Sequence, residues 1–278
     1  MTVERDGKLE DGRDGYVIRA VVRAARLLEL LRTGDGGASL RELASRSGLA
    51  KASVFRMLRT LEGTGLVERI PDEDRYRLGV RCLELGQAYL EQTDLRREAI
   101  PVLADLRTEF NETVHLGVLD DDLRVVYLEK LESTHAVGIM MSRVGRTAPS
   151  FCTGLGKAML AALPGDPVAV LQERGALRRY TPGTIADPKA LRTELERIRK
   201  RGYSLDLEEH EPGVRCVGVP IMGPHGDMVA GLSISGPAQR LPERLLRGRL
   251  AEAGRVAAAE IGRRLGAGRR SSDGHPGG

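Results

Sequence analysis

Just past residue 110 the apolar residues of this chain change from helical to strand spacing, and that change limits what the chain can fold into. From Ile18 to Phe110 they recur mostly three and four residues apart, the spacing of amphipathic helices. From Thr113 they alternate with polar residues, as in strands with one buried face. At 278 residues the chain is longer than a typical single domain of roughly 100–200 residues, so two domains are expected.

The helical block divides at its glycines. Ile18, Val21, Val22, Ala25, Leu28 and Leu31 mark a first helix ended by "TGDGG". Ser39, with Glu42 three residues on, is a capping box for a short second helix carrying Leu40, Leu43 and Ala44. Gly48 turns the chain into a third helix from Lys51 to about Glu62, with Val54, Leu58 and Leu61 as its stripe. Two short extended runs, Leu66–Ile70 and Tyr76–Leu78, flank the turn "PDED". Helix, helix, glycine turn, helix and hairpin is the order of a winged helix-turn-helix, here spanning 16–80.

Charge placement points to its partner. Net charge is only +4, with 29% charged residues of mixed sign, so local arrangement matters more than the total. Lys51, Arg56 and Arg59 lie off the apolar stripe of the third helix, and Arg41 and Arg46 lie on the second. The start of the third helix offers N–H groups to a phosphate. Double-stranded operator DNA is the expected partner. Arg56 is the candidate for a base edge, with Lys51 and Ser53 on the nearby backbone, Arg41 and Arg59 beside them, and Arg75 at the hairpin.

Residues 81–97 read as a linker helix, and 98–265 as a second, α/β domain. There, a helix kinked at Pro101 precedes a hairpin of "TVHLGVL" and "RVVYLEKL" around "DDD", then an extended "AVGIMMSRVG". Helices follow at Leu155–Leu163, with Thr153 as N-cap, and after Asp187-Pro188. "YSLDL", "GVRCVGVPIM" and "DMVAGLSIS" read as strands, and a helix over 242–265 closes the domain. The glycine-rich, charged ends, 1–15 and 266–278, are expected to be disordered.

Several function classes find no footing. The three cysteines form no CxxC pair, which argues against a disulfide framework or a thiolate zinc site. The first residues are charged and lack a signal-peptide core, and no apolar run approaches a membrane span, so a cytoplasmic protein is expected. No nucleophile-elbow or HExxH motif is present, and "GLGKAM" lacks the Walker pattern, so no enzyme is expected. The segment 208–216 crowds Glu208, Glu209, His210, Glu211 and Cys216. One reading is a metal-responsive regulator; the favoured one is a solvated turn leading into a strand, with no metal or cofactor.

Both halves resemble the IclR family of bacterial transcription regulators over about 18–265. The resemblance rests on "SLRELASRSGLAKASVFRMLRTLEGTGLVER", "CTGLGKAMLAALP", "GYSLDLEEHEPGVRCVGVPI" and "LSISGP". It implies a dimerising linker helix, a GAF-like C-terminal domain that binds a small effector, and a homodimer or tetramer, often repressing catabolic operons. Carried over by position, the effector site is Gly154, Leu155, Asp206, Cys216, Ser233 and Ser235. The chemistry is compatible with a carboxylate: Leu155 and Gly156 offer helix-start N–H groups, and Ser233 and Ser235 share a strand face. Gly218 and Pro220 are expected to leave space beside Cys216, and Met140 and Met141 to form an adaptable wall. Leu155 is larger than the residue often found there, which implies a narrower or more apolar pocket.

Overall fold

The computed structural model describes residues 17–33, 36–135 and 140–272. The chain forms two compact units that divide between Tyr89 and Leu90.

The first unit contains α1 (Arg19–Arg32), β1 (Ala38–Ser39), α2 (Leu40–Ser47), α3 (Lys51–Gly63), β2 (Val67–Arg69) and β3 (Arg75–Leu78). The Ser39 hydroxyl accepts from Glu42 N at 3.2 Å, and the Glu42 carboxylate accepts from Ser39 N at 2.7 Å, completing the capping box. Gly48 closes α2 at φ 70°, a left-handed conformation that favours glycine, and redirects the chain into α3. Val54, Leu58 and Leu61 are buried as expected, against Leu27, Leu31, Leu43, Val67 and Tyr76. The strands form an antiparallel sheet in the order β1-β3-β2.

The stripe expected on α1 needs correction. Leu27, Leu30 and Leu31 are its buried residues, while Ile18, Val21 and Ala25 are exposed. Its first two turns carry an apolar face that the unit's own core does not cover. The helix α4 (Val80–Gln92) likewise buries none of its residues.

The second unit is built on a six-stranded antiparallel sheet, ordered β6-β5-β4-β9-β8-β7. Its strands are β4 (Thr113–Leu119), β5 (Val125–Leu131), β6 (Thr147–Ala148), β7 (Ser204–Leu207), β8 (Val214–Met222) and β9 (Met228–Pro237). Alternation sorts its two faces. Val114, Leu116, Leu205, Val217, Val219, Leu232 and Ile234 join one core with α5 (Asp94–Phe110) and the final helical run. That run consists of α9 (Glu243–Leu245), a π-helical turn over Leu246–Leu250, and α10 (Ala251–Ser272). It continues past the end expected at Leu265, through glycines that weaken a helix without stopping it. Residues 1–15 and 273–278 lie outside the described residues.

The opposite face receives α6 (Gly154–Ala162), with α7 (Pro167–Glu173) and α8 (Pro188–Arg201) packed beyond it. Thr153, Asp166 and Asp187 cap these three helices through their side chains. The extended piece expected at "AVGIMMSRVG" falls partly on 136–139, outside the described residues; Met140–Gly145 is irregular, and strand pairing resumes only at Thr147.

Candidate functional site

Two surfaces gather the residues singled out by the sequence, one in each unit. In the first unit, α3 begins without a side-chain cap, because Ala50 occupies the N-cap position. Ser53 N and Val54 N bond to Ala50 O, which leaves the N–H groups of Lys51 and Ala52 as open donors. An uncapped helix start suits a phosphate.

Arg41, Lys51 and Arg56 are exposed, and none has an acidic partner among the described residues. Ser53 is half-buried beside the helix start. Arg59 is exposed but paired with Glu62 at 2.9 Å, and Arg46 donates to Thr33 Oγ1 at 3.0 Å. Arg75 is engaged within the unit: it donates to the carbonyl oxygens of Gly37 at 2.6 Å and Gly36 at 3.3 Å and lies 3.5 Å from Glu42. Its guanidinium therefore braces the loop before β1.

In the second unit, sheet register assembles the other surface. Asp206, Cys216, Ser235 and Thr113 follow one another across β7, β8, β9 and β4. One row along come Ser204, Gly218, Ser233 and His115. The start of α6 lies against these rows. A Cβ on Gly218 would stand 2.2 Å from Gly154 O, so only glycine admits the helix here. The space expected beside Cys216 is thus filled by helix backbone at Gly218. Ser204 Oγ donates to that same Gly154 carbonyl, fixing the helix start to β7.

A cavity of about 30 Å³ lies between them, room for roughly one or two water-sized groups. All six expected residues, Gly154, Leu155, Asp206, Cys216, Ser233 and Ser235, line it. So do Met140 and residues the sequence did not place there, among them His115, Tyr127, Ser142, His210 and Glu211. Met141 is exposed instead. The N–H of Gly156 is not free, since Thr153 Oγ1 accepts it at 3.2 Å; Gly154 and Leu155 keep the open donors.

His115 is the hub of the polar floor. Its Nε2 lies 2.8 Å from Ser142 Oγ, and its Nδ1 lies 3.4 Å from Ser233 Oγ and 3.5 Å from Ser235 Oγ. Its ring stacks obliquely on Tyr127 with centroids 5.2 Å apart. Burial lowers its pKa to about 3, with the Lys130 charge adding, so the imidazole is neutral near pH 7. Across the cavity, burial raises the Asp206 carboxyl to about 7, Lys157 opposing and Glu209 reinforcing the shift. Burial also raises Glu211 and lifts the Cys216 thiol well above its ordinary value, so Cys216 is a poor nucleophile.

The run 207–212 is not the solvated turn expected. Glu209 is buried against Lys157, whose Nζ donates to its Oε1. Thr181 and Thr184 donate to the Glu209 carbonyl at 3.2 and 2.6 Å. Glu208 adopts φ 65° and pairs with Arg215 at 3.1 Å. His210 meets the Tyr180 ring edge-on at 5.2 Å. Glu208 and Glu209 reach separate partners and His210 lies 3.6 Å from Glu211, and no group of three or more His, Cys, Asp or Glu among the described residues could hold a metal.

Family comparison agrees across both units. The profile of the IclR helix-turn-helix domain matches residues 20–71, and that of the bacterial transcriptional regulator IclR C-terminal domain matches 87–263. Transcriptional repressor IclR of Escherichia coli is 33% identical over 227 residues, covering 81% of this chain and 82% of that protein. The glycerol operon regulatory protein of Streptomyces coelicolor is 36% identical, covering 91% of this chain and 98% of that one. A crystal structure of an IclR homolog from Microbacterium hydrocarbonoxydans complexed with 4-hydroxybenzoate superposes with TM-score 0.72 at 29% identity, covering 89% and 99% of the two chains. With a helix-turn-helix unit, a pocketed α/β unit and both family profiles matched, the chain belongs to the IclR family of bacterial transcriptional regulators, a family of DNA-binding regulators and not of enzymes.

Proposed function

We propose that this regulator represses a metabolic or catabolic operon and is controlled by a small organic or sugar acid held in the cavity of its second unit. The observation that carries the DNA side is the uncapped start of α3 with exposed Lys51 and Arg56, which have no acidic partner among the described residues. The helix start and Lys51 take phosphates, Arg56 reads a base edge, and Ser53, Arg41 and Arg59 support the contact. Two such heads, one per subunit, fit half-sites about 34 Å apart or a multiple of that. The exposed Val80, Leu83, Leu85 and Tyr89 on α4 support a homodimer, which can pair further into a tetramer.

The effector reading rests on the open amides of Gly154 and Leu155 at a cavity that Ser233, Ser235 and a neutral His115 also line. The amides suit a carboxylate, and the hydroxyls and the Asp206 carboxyl suit a ligand's other oxygens. A homolog takes 4-hydroxybenzoate. The cavity has room for only one or two water-sized groups, so an acid enters as Met140, an adaptable wall, repacks to enlarge it. Binding changes DNA affinity by favouring one arrangement of the two reading heads.

The test is a salt titration of binding to DNA upstream of the chain's own gene. Log affinity should fall linearly with log salt, with a slope reflecting several phosphate contacts. Failure to bind that DNA even at low salt would sink the reading.

A further inference from the structure

Helix α3 buries Val54, Leu58 and Leu61 and half-buries Met57, yet it leaves Phe55 46% exposed. At 100° per residue, Phe55 lies on the open side of the helix with Ala52 and Arg59, one turn after Lys51 and beside Arg56. Helical side chains lean toward the N-terminus, so the ring covers the surface near Ala52. Ring and methyl together form an apolar patch in the first half of the helix, the half that meets base edges in a helix-turn-helix.

The cations around this patch select what can cover it. Lys51 and Arg56 have no acidic partner among the described residues, and the amides of Lys51 and Ala52 are open donors. A polyanion fits that frame. In the major groove of duplex DNA, the apolar group within reach is the 5-methyl of thymine.

We propose that Phe55 is a specificity-determining residue that packs its ring on the 5-methyl group of a thymine adjacent to the base pair contacted by Arg56. The assignment deepens the DNA-binding reading and rests on it. It requires no change in the fold, since the ring makes no part of the unit's core. It predicts a half-site in which a thymine is recognised by its methyl group alone.

The test uses the duplex bound most strongly by the full chain from a random-sequence library. Each thymine in the protected region is replaced in turn by deoxyuridine, which removes only the methyl group. One thymine per half-site should lose about fourfold in affinity, the equivalent of one buried methyl-sized group (~0.8 kcal/mol). Phe55→Ala should bind the thymine and deoxyuridine duplexes equally, and Phe55→Leu should keep the preference. Both variants should keep the wild-type melting temperature and oligomeric state. The proposal is overturned if Phe55→Ala still discriminates at that thymine, or if no thymine is sensitive. A change of oligomeric state or melting temperature in Phe55→Ala also overturns it, by assigning the ring to a protein contact. If the library yields no preferred sequence, the DNA-reading assignment itself fails, a result distinct from a preferred sequence without methyl dependence.

Discussion

Lys157 and Glu209 form an ion pair inside the second unit, with side chains only 1% and 7% exposed. The pair ties α6, whose start borders the cavity, to the loop between Asp206 and Glu211, which forms another wall. The second carboxylate oxygen of Glu209 is buried with no hydrogen-bond partner among the described residues, so its ionised form depends on Lys157.

Lys157→Met strands that carboxylate and should destabilise the protein by about 3–5 kcal/mol. Adding Glu209→Leu removes the stranded charge and should restore most of the loss. Urea denaturation of both variants decides the matter, and a double variant no more stable than Lys157→Met would contradict it.

The cavity holds two groups whose shifts have opposite consequences for stability. His115 is lowered from 6.5 to about 3, so between those values the unfolded chain binds the extra proton and stability drops as pH falls. Asp206 is raised from 3.8 to about 7, so over nearly the same window the folded chain binds the extra proton and stability grows as pH falls. In the wild type these contributions offset each other from about pH 4 to 6.5. Asp206→Asn should expose the His115 slope, with stability decreasing relative to wild type by about 1.4 kcal/mol per unit of falling pH. His115→Gln should shift the slope the other way. Parallel pH profiles for all three proteins would refute the assignment.

For the effector, Ser233→Ala combined with Ser235→Ala removes two hydroxyls from the polar floor. Affinity for an acid that shifts the wild-type DNA complex should drop at least tenfold, while DNA binding without the acid stays unchanged. Calorimetric titration measures the first and a mobility shift the second. Wild-type acid affinity in the double variant counts against this site.

How far these features were legible in the sequence depends on whether their causes are local. The stripe Val54, Leu58 and Leu61 was readable because the same periodicity that makes α3 amphipathic also buries it. On α1 the spacing also marks Ile18 and Val21, which are exposed, since spacing identifies an apolar face but not what covers it. Helix α7 carries the same Asp-Pro start signal at Asp166-Pro167 as α8 does at Asp187-Pro188, but its seven residues are too few to show a periodic stripe. Alternation along "TVHLGVL" puts His115 opposite Val114 and Leu116, but only pairing with β9 sets it beside Ser233. Nothing local marks Glu209 as buried, because its partner, Lys157, is 52 residues away. The six cavity residues came from family position, which encodes tertiary proximity that no local pattern carries.

On the DNA side, Arg56→Ala should weaken binding to a preferred duplex by about 1–3 kcal/mol and relax specificity at one base pair. Lys51→Ala should instead weaken binding to all sequences similarly and reduce the salt slope by about one. Competition mobility shifts against random duplex separate the two effects. Arg75→Ala should lower thermal stability more than it alters sequence preference, because its guanidinium holds Gly36 and Gly37.

The proposed effector control requires that a small acid in the cavity change how the α3 helices hold DNA. Its most direct measurement is a mobility-shift titration of the full chain on DNA upstream of its own gene, with and without a series of small carboxylic and sugar acids. A sequence-specific complex is expected, whose midpoint moves severalfold with at least one acid and whose shift is lost in the Ser233→Ala, Ser235→Ala variant. A complex no tighter than that with random duplex, or one whose midpoint responds to an acid identically in wild type and variant, would contradict it.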